Sequence, residues 1–201
     1  MRLASQGVIL EQNYVQPVCS PTRAALMTGR YPYRYGMQNG VFKPLEPKGL
    51  PLGLPFLAEE LQNLGYSTHA IGKWHLGHCK WNYTPTYRGF DSFRGYYLGS
   101  ESYYNHVRKV GNNYTGYDFR NGTEVDWDAN GTYSTKIFGE EAVKVVNQSA
   151  LEASPFFLYL AFQAVHAPLE VPPRYEKMYS NITNKDRRIF CGKLAHAGIR
   201  I

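Results

Sequence analysis

Three short stretches of this 201-residue chain set chemically able side chains beside glycine and proline punctuation. The first is Cys19-Ser20-Pro21-Thr22-Arg23, continuing as Ala24-Ala25-Leu26-Met27-Thr28-Gly29-Arg30. A thiol just ahead of Ser-Pro stands where a helix begins, since Ser is a good N-cap and Pro suits the first helical position. A nucleophile there sits among unpaired N–H groups and the positive dipole end, a ready site for an anion. Arg23, one turn in, can project back and hold an anion's oxygens. The second stretch, Gly72-Lys73-Trp74-His75-Leu76-Gly77, pairs a compact cation with an imidazole able to pass a proton near neutral pH. The third, Ala164-Val165-His166-Ala167-Pro168-Leu169, offers His166 as a general acid. On residue type alone each also has a structural reading. Cys19 could be a small buried residue beside an ordinary helix, Lys73 and His75 a solvated loop, and His166 a histidine in a proline turn. His69, His78 and His106 carry no functional expectation.

Some element must hold these residues. Residues 8–15 are β-prone and predict a strand leading into Cys19. Ser20 predicts the cap of a helix that runs through Thr28 and stops at Gly29, a natural C-terminal cap. A second helix fits 54–64, with Leu54, Leu57, Leu61 and Leu64 as an apolar stripe ended by Gly65. Residues 67–72 read as a short strand. Residues 80–133, rich in Gly, Asn, Tyr and Thr, read as a surface excursion of loops and short strands. A helix over 134–149, capped by Ser134, turns Ile137, Ala142, Val145 and Val146 inward. Residues 156–162 are apolar on both faces, as in a central parallel strand covered by helices. Strands alternating with helices predict an α/β sheet. Such sheets bind ligands outside the carboxyl ends of their strands, and Cys19, Lys73, His75 and His166 each follow a predicted strand. One cleft can therefore collect residues almost 150 positions apart.

Composition narrows the class. Hydrophobic residues at 43% and aromatics at 15% fit a folded domain rather than a disordered chain, and with no internal repeat one domain is expected. The formal charge of +6 admits an anionic small-molecule or polysaccharide partner. The Lys and Arg are scattered without a basic run, so no nucleic-acid partner is expected. Three cysteines, none in a CxxC pair, make neither a disulfide framework nor a zinc site. Six N-x-S/T sequons, at Asn82, Asn113, Asn121, Asn130, Asn147 and Asn181, exceed the about one or two that chance would give, and favour a glycosylated secretory protein. No segment is long and apolar enough for a signal peptide or a membrane span, so the expectation is that the true N-terminus lies upstream.

The first stretch resembles the type I sulfatase signature, Cys-x-Pro-Ser/Thr-Arg with a downstream Thr-Gly-Arg. The second is similar to that family's Gly-Lys-Trp-His-Leu-Gly signature, and the third to its His-x-Pro segment after a core strand. Arg88-Gly89-Phe90-Asp91, Leu98-Gly99-Ser100-Glu101, Asp118-Phe119-Arg120 and Tyr133-Ser134-Thr135 resemble the arylsulfatase B branch, with its I and J relatives. The resemblance covers roughly residues 7–188. It implies an alkaline-phosphatase-like α/β fold, a mostly parallel sheet flanked by helices. It also implies that Cys19 is oxidised to formylglycine by a dedicated generating enzyme in the endoplasmic reticulum. Arg23, Lys73, His75 and His166 would then surround that group, with Lys73, His75 and His166 contacting the sulfate of a sulfated carbohydrate or aryl sulfate ester. One branch member removes 4-sulfate from N-acetylgalactosamine in dermatan and chondroitin sulfate, and a lysosomal or secreted location goes with it.

The family binds Ca²⁺ through early aspartates, a later Asp-Asn pair and an oxygen of formylglycine, hard ligands of the kind Ca²⁺ requires. The chain is expected to begin after the first pair and end before the second, leaving only Cys19 of that shell. Residues 1–188 read as a partial catalytic domain with its sheet incomplete, and 189–201 as a divergent tail, so the expectation is little sulfatase activity from this polypeptide alone. Two alternatives stand beside the hydrolase: an inactive sulfatase-like glycoprotein that still binds sulfated sugars, and a phosphatase or phosphonate hydrolase of the same superfamily.

Overall fold

A computed structural model describes residues 2–200. In chain order its strands are β1 (Ser67–Lys73), β2 (Ser92–Tyr96), β3 (Val107–Val110), β4 (Tyr114–Tyr117), β5 (Arg120–Asn121), β6 (Glu124–Val125) and β7 (Phe156–Ala161). The helices are α1 (Arg2–Gln6), α2 (Cys19–Thr28), α3 (Leu57–Asn63), α4 (Ser134–Glu152), α5 (Pro173–Lys177) and α6 (Lys185–Arg200). The main sheet runs β6-β5-β2-β1-β7, with β1 parallel to both neighbours and the short β5 and β6 antiparallel at one edge. A separate hairpin, β3–β4, stands beside it.

Period-two alternation divides the core into two layers. Ala70 of β1 and Phe93 of β2 meet Ala24 and Met27 of α2, Ala58 of α3, and Phe56 and Trp74 in one cluster. Ile71 and Tyr96, one position on from Ala70 and at the end of β2, face Ile137, Phe138 and Ala142 of α4 in the other. On β7, Phe157 and Tyr159 pack toward the first layer, while Leu158 and Leu160 pack toward the second. The architecture is the expected α/β sandwich, a mostly parallel sheet with helices on both faces.

Several local expectations give way to tertiary context. Residues 8–15 form no strand: Val8, Ile9, Leu10 and Val15 are exposed, and no described segment pairs with them. β-propensity has no effect without a partner edge and a face to bury. Residues 92–96, placed by the sequence in the surface excursion, are instead an interior strand of the main sheet. Arg94 disguises that strand, and it is tolerated because its guanidinium meets Asp126 and Glu141, each at 2.9 Å. β7 is an edge strand of the described sheet rather than the central one; β2 is the middle of the five strands, and β1 lies between β2 and β7. α3 is shorter than the leucine stripe suggested. Leu57 and Leu64 are exposed, and Phe56 and Ala58 make the contact instead. Ser134 is the buried first residue of α4 and Tyr133 its N-cap, while Val146 faces solvent.

α6 crosses residue 189 without a break and buries Ile189, Lys193 and His196. Its Gly192 lies against the backbone of Tyr175 in α5, where an added Cβ would stand 3.0 Å from the Tyr175 carbonyl carbon.

Gly72 is the tightest point of the sheet. It has φ +102°, and a Cβ there would stand 2.1 Å from the Ala161 carbonyl oxygen of β7. Gly95 opposite is equally confined, since its Cβ would lie 2.0 Å from the Gly72 oxygen. Glycine at both positions lets three strands close just ahead of Lys73. Gly72→Ala is therefore expected to destabilise the fold by about 3 kcal/mol or more, read as a lowered thermal midpoint. A midpoint within the error of the native chain would contradict this close approach.

Candidate active site

α2 begins at Cys19, not at Ser20. Val18 is its N-cap, in an extended conformation, and makes no side-chain capping bond. The buried Ser20 instead links two distant segments. Its Oγ donates to the His75 carbonyl at 3.0 Å and accepts from the Phe42 N–H at 3.3 Å. Thr22 Oγ1 reaches back to the carbonyls of Gln16 at 2.8 Å and Val18 at 2.9 Å. These bonds fix the half-buried Cys19 on the first turn, next to the carboxyl end of β1. Gly29 ends the helix as expected, left-handed, with its N–H on the Ala25 carbonyl.

Arg23 joins three elements. Its Nη1 donates to the Lys73 carbonyl at 2.6 Å and to the Tyr159 hydroxyl at 2.8 Å, so α2, β1 and β7 share one guanidinium. Lys73 is only 3% exposed. Burial first, and then the neighbouring Arg23 charge, push its ammonium down to about 8, while the Cys19 sulfur, within hydrogen-bonding reach, pulls the other way. A depressed lysine beside a thiol is poised to welcome further negative charge.

His75 is buried and holds φ 59°, a left-handed conformation uncommon outside glycine. Its Nε2 lies 3.0 Å from the Phe42 carbonyl, which assigns the ring proton to Nε2. Nδ1 is then a buried lone pair, and it has no hydrogen-bond partner. Burial, then the Lys73 charge, push the ring down to about 3, so it is a neutral acceptor. Gly99 packs closely against the ring: a Cβ there would lie 2.7 Å from its Cε1.

His166 is exposed at the end of the loop that leaves β7. Its backbone is held from behind, its carbonyl accepting from the Tyr103 hydroxyl at 2.8 Å and from the Lys193 ammonium.

A cleft of about 400 Å³ collects Cys19, Arg23, Lys73 and His166, with Gln163 and Tyr159 among its other walls. Four of the five expected residues thus share one cavity. His75 does not line it, and sits behind, tied to Ser20 through its carbonyl. Sequence reasoning missed Tyr159 and Gln163. Tyr159 reads as one more apolar residue in its strand. Gln163 is buried and braces Glu101 in both directions, accepting from its N–H at 3.0 Å and donating to its carbonyl at 2.9 Å. Neither has a signal in the sequence, since each works through a distant partner.

The donor set does not suit Ca²⁺. No described residues form a group of three or more His, Cys, Asp or Glu able to hold a metal ion. The Cys19 cleft has no carboxylate in its lining, whereas Ca²⁺ takes roughly six to eight oxygen ligands. The described residues do not fit that ion.

The family model described as Sulfatase matches residues 1–190. Arylsulfatase J of Mus musculus is 41% identical over 195 residues, which is 96% of this chain and 32% of that protein. N-acetylgalactosamine-6-sulfatase of Mus musculus is 33% identical over 194 residues, 84% of this chain and 34% of that protein. Uncharacterized sulfatase YdeN of Escherichia coli (strain K12) is 33% identical over 205 residues, 90% of this chain and 34% of that protein. The chain therefore spans about a third of the length of these relatives. Among solved structures, Ps i-CgsB in complex with k-i-k-neocarrahexaose superposes with a TM-score of 0.82 at 30% identity, over 92% of this chain and 43% of that one.

Two pH dependences follow. Lys73 loses its proton near 8, so sulfate binding in the cleft is expected to weaken at least about threefold between pH 6.5 and 9. Titration calorimetry with inorganic sulfate measures it, and Lys73→Met should bind weakly at both values. Equal affinity in the native chain would separate Lys73 from the anion. His75 stays neutral in the fold down to about 3, while the unfolded ring takes a proton near 6.5. The unfolded state thus binds more protons in that window, and stability falls as pH drops through it. His75→Asn should flatten the thermal midpoint against pH between about 6 and 4.

Proposed function

The chain belongs to the sulfatase family, and from that premise we propose that its cleft serves sulfate-ester hydrolysis on a sulfated sugar, with residue 19 as the nucleophile. The observation that carries the reading is Cys19 on the first turn of α2, with the Lys73 ammonium at its sulfur and Arg23 in the same cleft. The generating enzyme, using an external oxidant, oxidises the Cys19 side chain to the aldehyde of formylglycine with release of its sulfur, and the aldehyde then adds water. One hydroxyl of the hydrate attacks sulfur and expels the sugar alcohol, leaving a sulfate ester on residue 19. Loss of the second hydroxyl proton re-forms the aldehyde and expels sulfate, a step closed to plain serine or cysteine.

The other residues take roles by position. Arg23 and Lys73 hold sulfate oxygens and offset the growing charge. His166, exposed on the cleft wall, gives a proton to the leaving oxygen. His75 acts through its backbone, its carbonyl accepting from Ser20 Oγ at 3.0 Å and so holding the first turn of α2 in place. Its place behind the cleft makes it a positioning residue.

The sugar is of glycosaminoglycan type, such as N-acetylgalactosamine 4-sulfate. Similarity to N-acetylgalactosamine-6-sulfatase and to a protein solved with k-i-k-neocarrahexaose supports a sulfated saccharide. All six sequon asparagines are exposed, which supports glycosylation and passage to the lysosome or the cell exterior. No described helix is long and apolar enough to cross a membrane. Residues 1–188 are read as catalytic-domain sequence and 189–201 as an added segment. A second reading, binding of sulfated sugars without turnover, is favoured by the absence of any carboxylate in the Cys19 cleft lining.

Mass spectrometry of the tryptic peptide Leu3–Arg23, from protein made in a eukaryotic secretory host, tests the central claim. Conversion is expected to remove about 18 mass units, unlike the additions of ordinary thiol oxidation. Unmodified thiol, in a host that converts a control sulfatase, would refute a formylglycine nucleophile here. Release of sulfate but not phosphate from paired aryl esters, lost in Cys19→Ala, separates hydrolase from phosphatase, and saturable binding with no release marks the second reading.

A further inference from the structure

We propose that the cationic, aromatic-walled cleft beside the β3–β4 hairpin is a second saccharide subsite, holding a sulfated or carboxylated unit further along the polymer whose ester reaches Cys19. This rests on the reading of the Cys19 cleft as the sulfate site.

The cleft has a volume of about 620 Å³, larger than the one at Cys19, and Lys80, Trp81, Tyr97, Arg108, Tyr114 and Arg120 are among its walls. That size suits a ligand of drug or disaccharide scale. Three positive charges, on Lys80, Arg108 and Arg120, share the walls with a single acidic residue, Asp118, and its carboxylate is already engaged by the N–H groups of Tyr97 at 3.1 Å and Leu98 at 2.8 Å. The local balance is therefore positive. Trp81 is 52% exposed, and it stacks on Tyr87 with ring centroids 6.3 Å apart, so one broad aromatic face is braced rather than loose. A pyranose presents an apolar C–H face that packs on such a ring, and sulfates or carboxylates on its edge suit guanidinium donors. Aromatic faces and arginines together fit an anionic saccharide better than an inorganic anion, which needs no ring.

Position supports the same conclusion. His166 lines both the Cys19 cleft and a neighbouring cleft of about 550 Å³. Arg108 lines that neighbour and also the 620 Å³ cleft. Two shared wall residues thus place the three cavities side by side between the hairpin and Cys19. Arg108 is close enough to the reacting end that its charge helps to depress Lys73. Its Nη1 is fixed on Ser100 Oγ, and its buried Nε has no partner. Arg120 is similarly set, with Nη1 on the Thr123 carbonyl and its guanidinium 5.4 Å from the centre of the Tyr97 ring. Preset guanidiniums lose little freedom on binding.

Titration calorimetry with a chondroitin 4-sulfate hexasaccharide and N-acetylgalactosamine 4-sulfate tests the proposal. An Asn113→Gln background removes the sequon that lines the cleft. The hexasaccharide is expected to bind at least about tenfold more tightly than the monosaccharide, the worth of one or two charged contacts. Arg108→Gln and Trp81→Ala should each remove most of that advantage and change monosaccharide affinity less than about twofold. Trp81 is exposed, so its variant is expected to fold even if Arg108→Gln does not. Arg187→Gln makes the same charge change on α6, away from all three clefts, and should leave the advantage intact. The proposal is overturned if the hexasaccharide binds no more tightly than the monosaccharide, if Arg187→Gln costs as much as Arg108→Gln, or if Trp81→Ala keeps the full advantage. Lys73→Met separates the two claims: unchanged monosaccharide affinity would remove the Cys19 reading and leave the cleft result standing.

Discussion

Two cations are held side by side at the mouth of a helix, and much of the molecule is arranged to make that tolerable. Arg23 donates to the backbone carbonyl of Lys73 itself, so the guanidinium cannot retreat from the ammonium. Lys73 is almost fully enclosed and already gives up part of its preference for charge. No carboxylate lines their cleft to offset them. A tetraoxo anion arriving at the first turn of α2 would relieve both charges and engage the open N–H groups of the helix. The same closeness of two cations that depresses Lys73 is thus the feature that would hold an anionic substrate.

Holding it requires a rigid support, supplied by backbone packing rather than by long side chains. Gly72 and Gly95 bring β1, β2 and β7 together one residue before Lys73. Ser20 then ties α2 to the carbonyl of His75, and Arg23 ties it to Tyr159 on β7. The loops beyond the strand ends are pinned by buried polar groups. Asp118 takes two N–H groups at 97–98, Glu170 takes the Tyr103 N–H at 2.7 Å, and Lys193 donates to the Pro168 carbonyl at 2.8 Å. Each satisfied group converts a loop into a fixed wall, because breaking it would leave a buried polar atom unpaired. Lys193 is notable in coming from α6, beyond the span matched by the family model.

Several phrases that carry the branch resemblance turn out to be scaffold. Arg88 meets Glu59 at 2.8 Å and lies 4.4 Å from the centre of the Phe56 ring. Asp91 accepts from the Thr68 N–H at 2.8 Å, and Gly99 exists to admit the His75 ring. Glu101 is buried with His106, 3.0 Å away, and burial raises its carboxyl well above the usual range. His106 donates onward to the Ala129 carbonyl at 3.0 Å, so the pair serves as a neutral brace in the core.

The candidate site was legible in the sequence because it is marked by residue types at fixed short spacings: Cys19 with Arg23 over one helical turn, and Lys73 with His75 at the end of a strand. The α/β class was legible for a similar reason, since alternation and capping are local. What the chain could not announce were the long-range decisions. Residues 8–15 look like a strand and are not one, whereas 92–96 look like loop and lie inside the sheet. Strand formation depends on which edge lies alongside, a fact absent from any single segment. The same limit hid Tyr159, Gln163 and Lys193, whose roles exist only through partners 136, 62 and 27 positions away. Residue identity specified what could react; tertiary packing decided which groups would stand together, because burial and pairing are properties of the assembled fold.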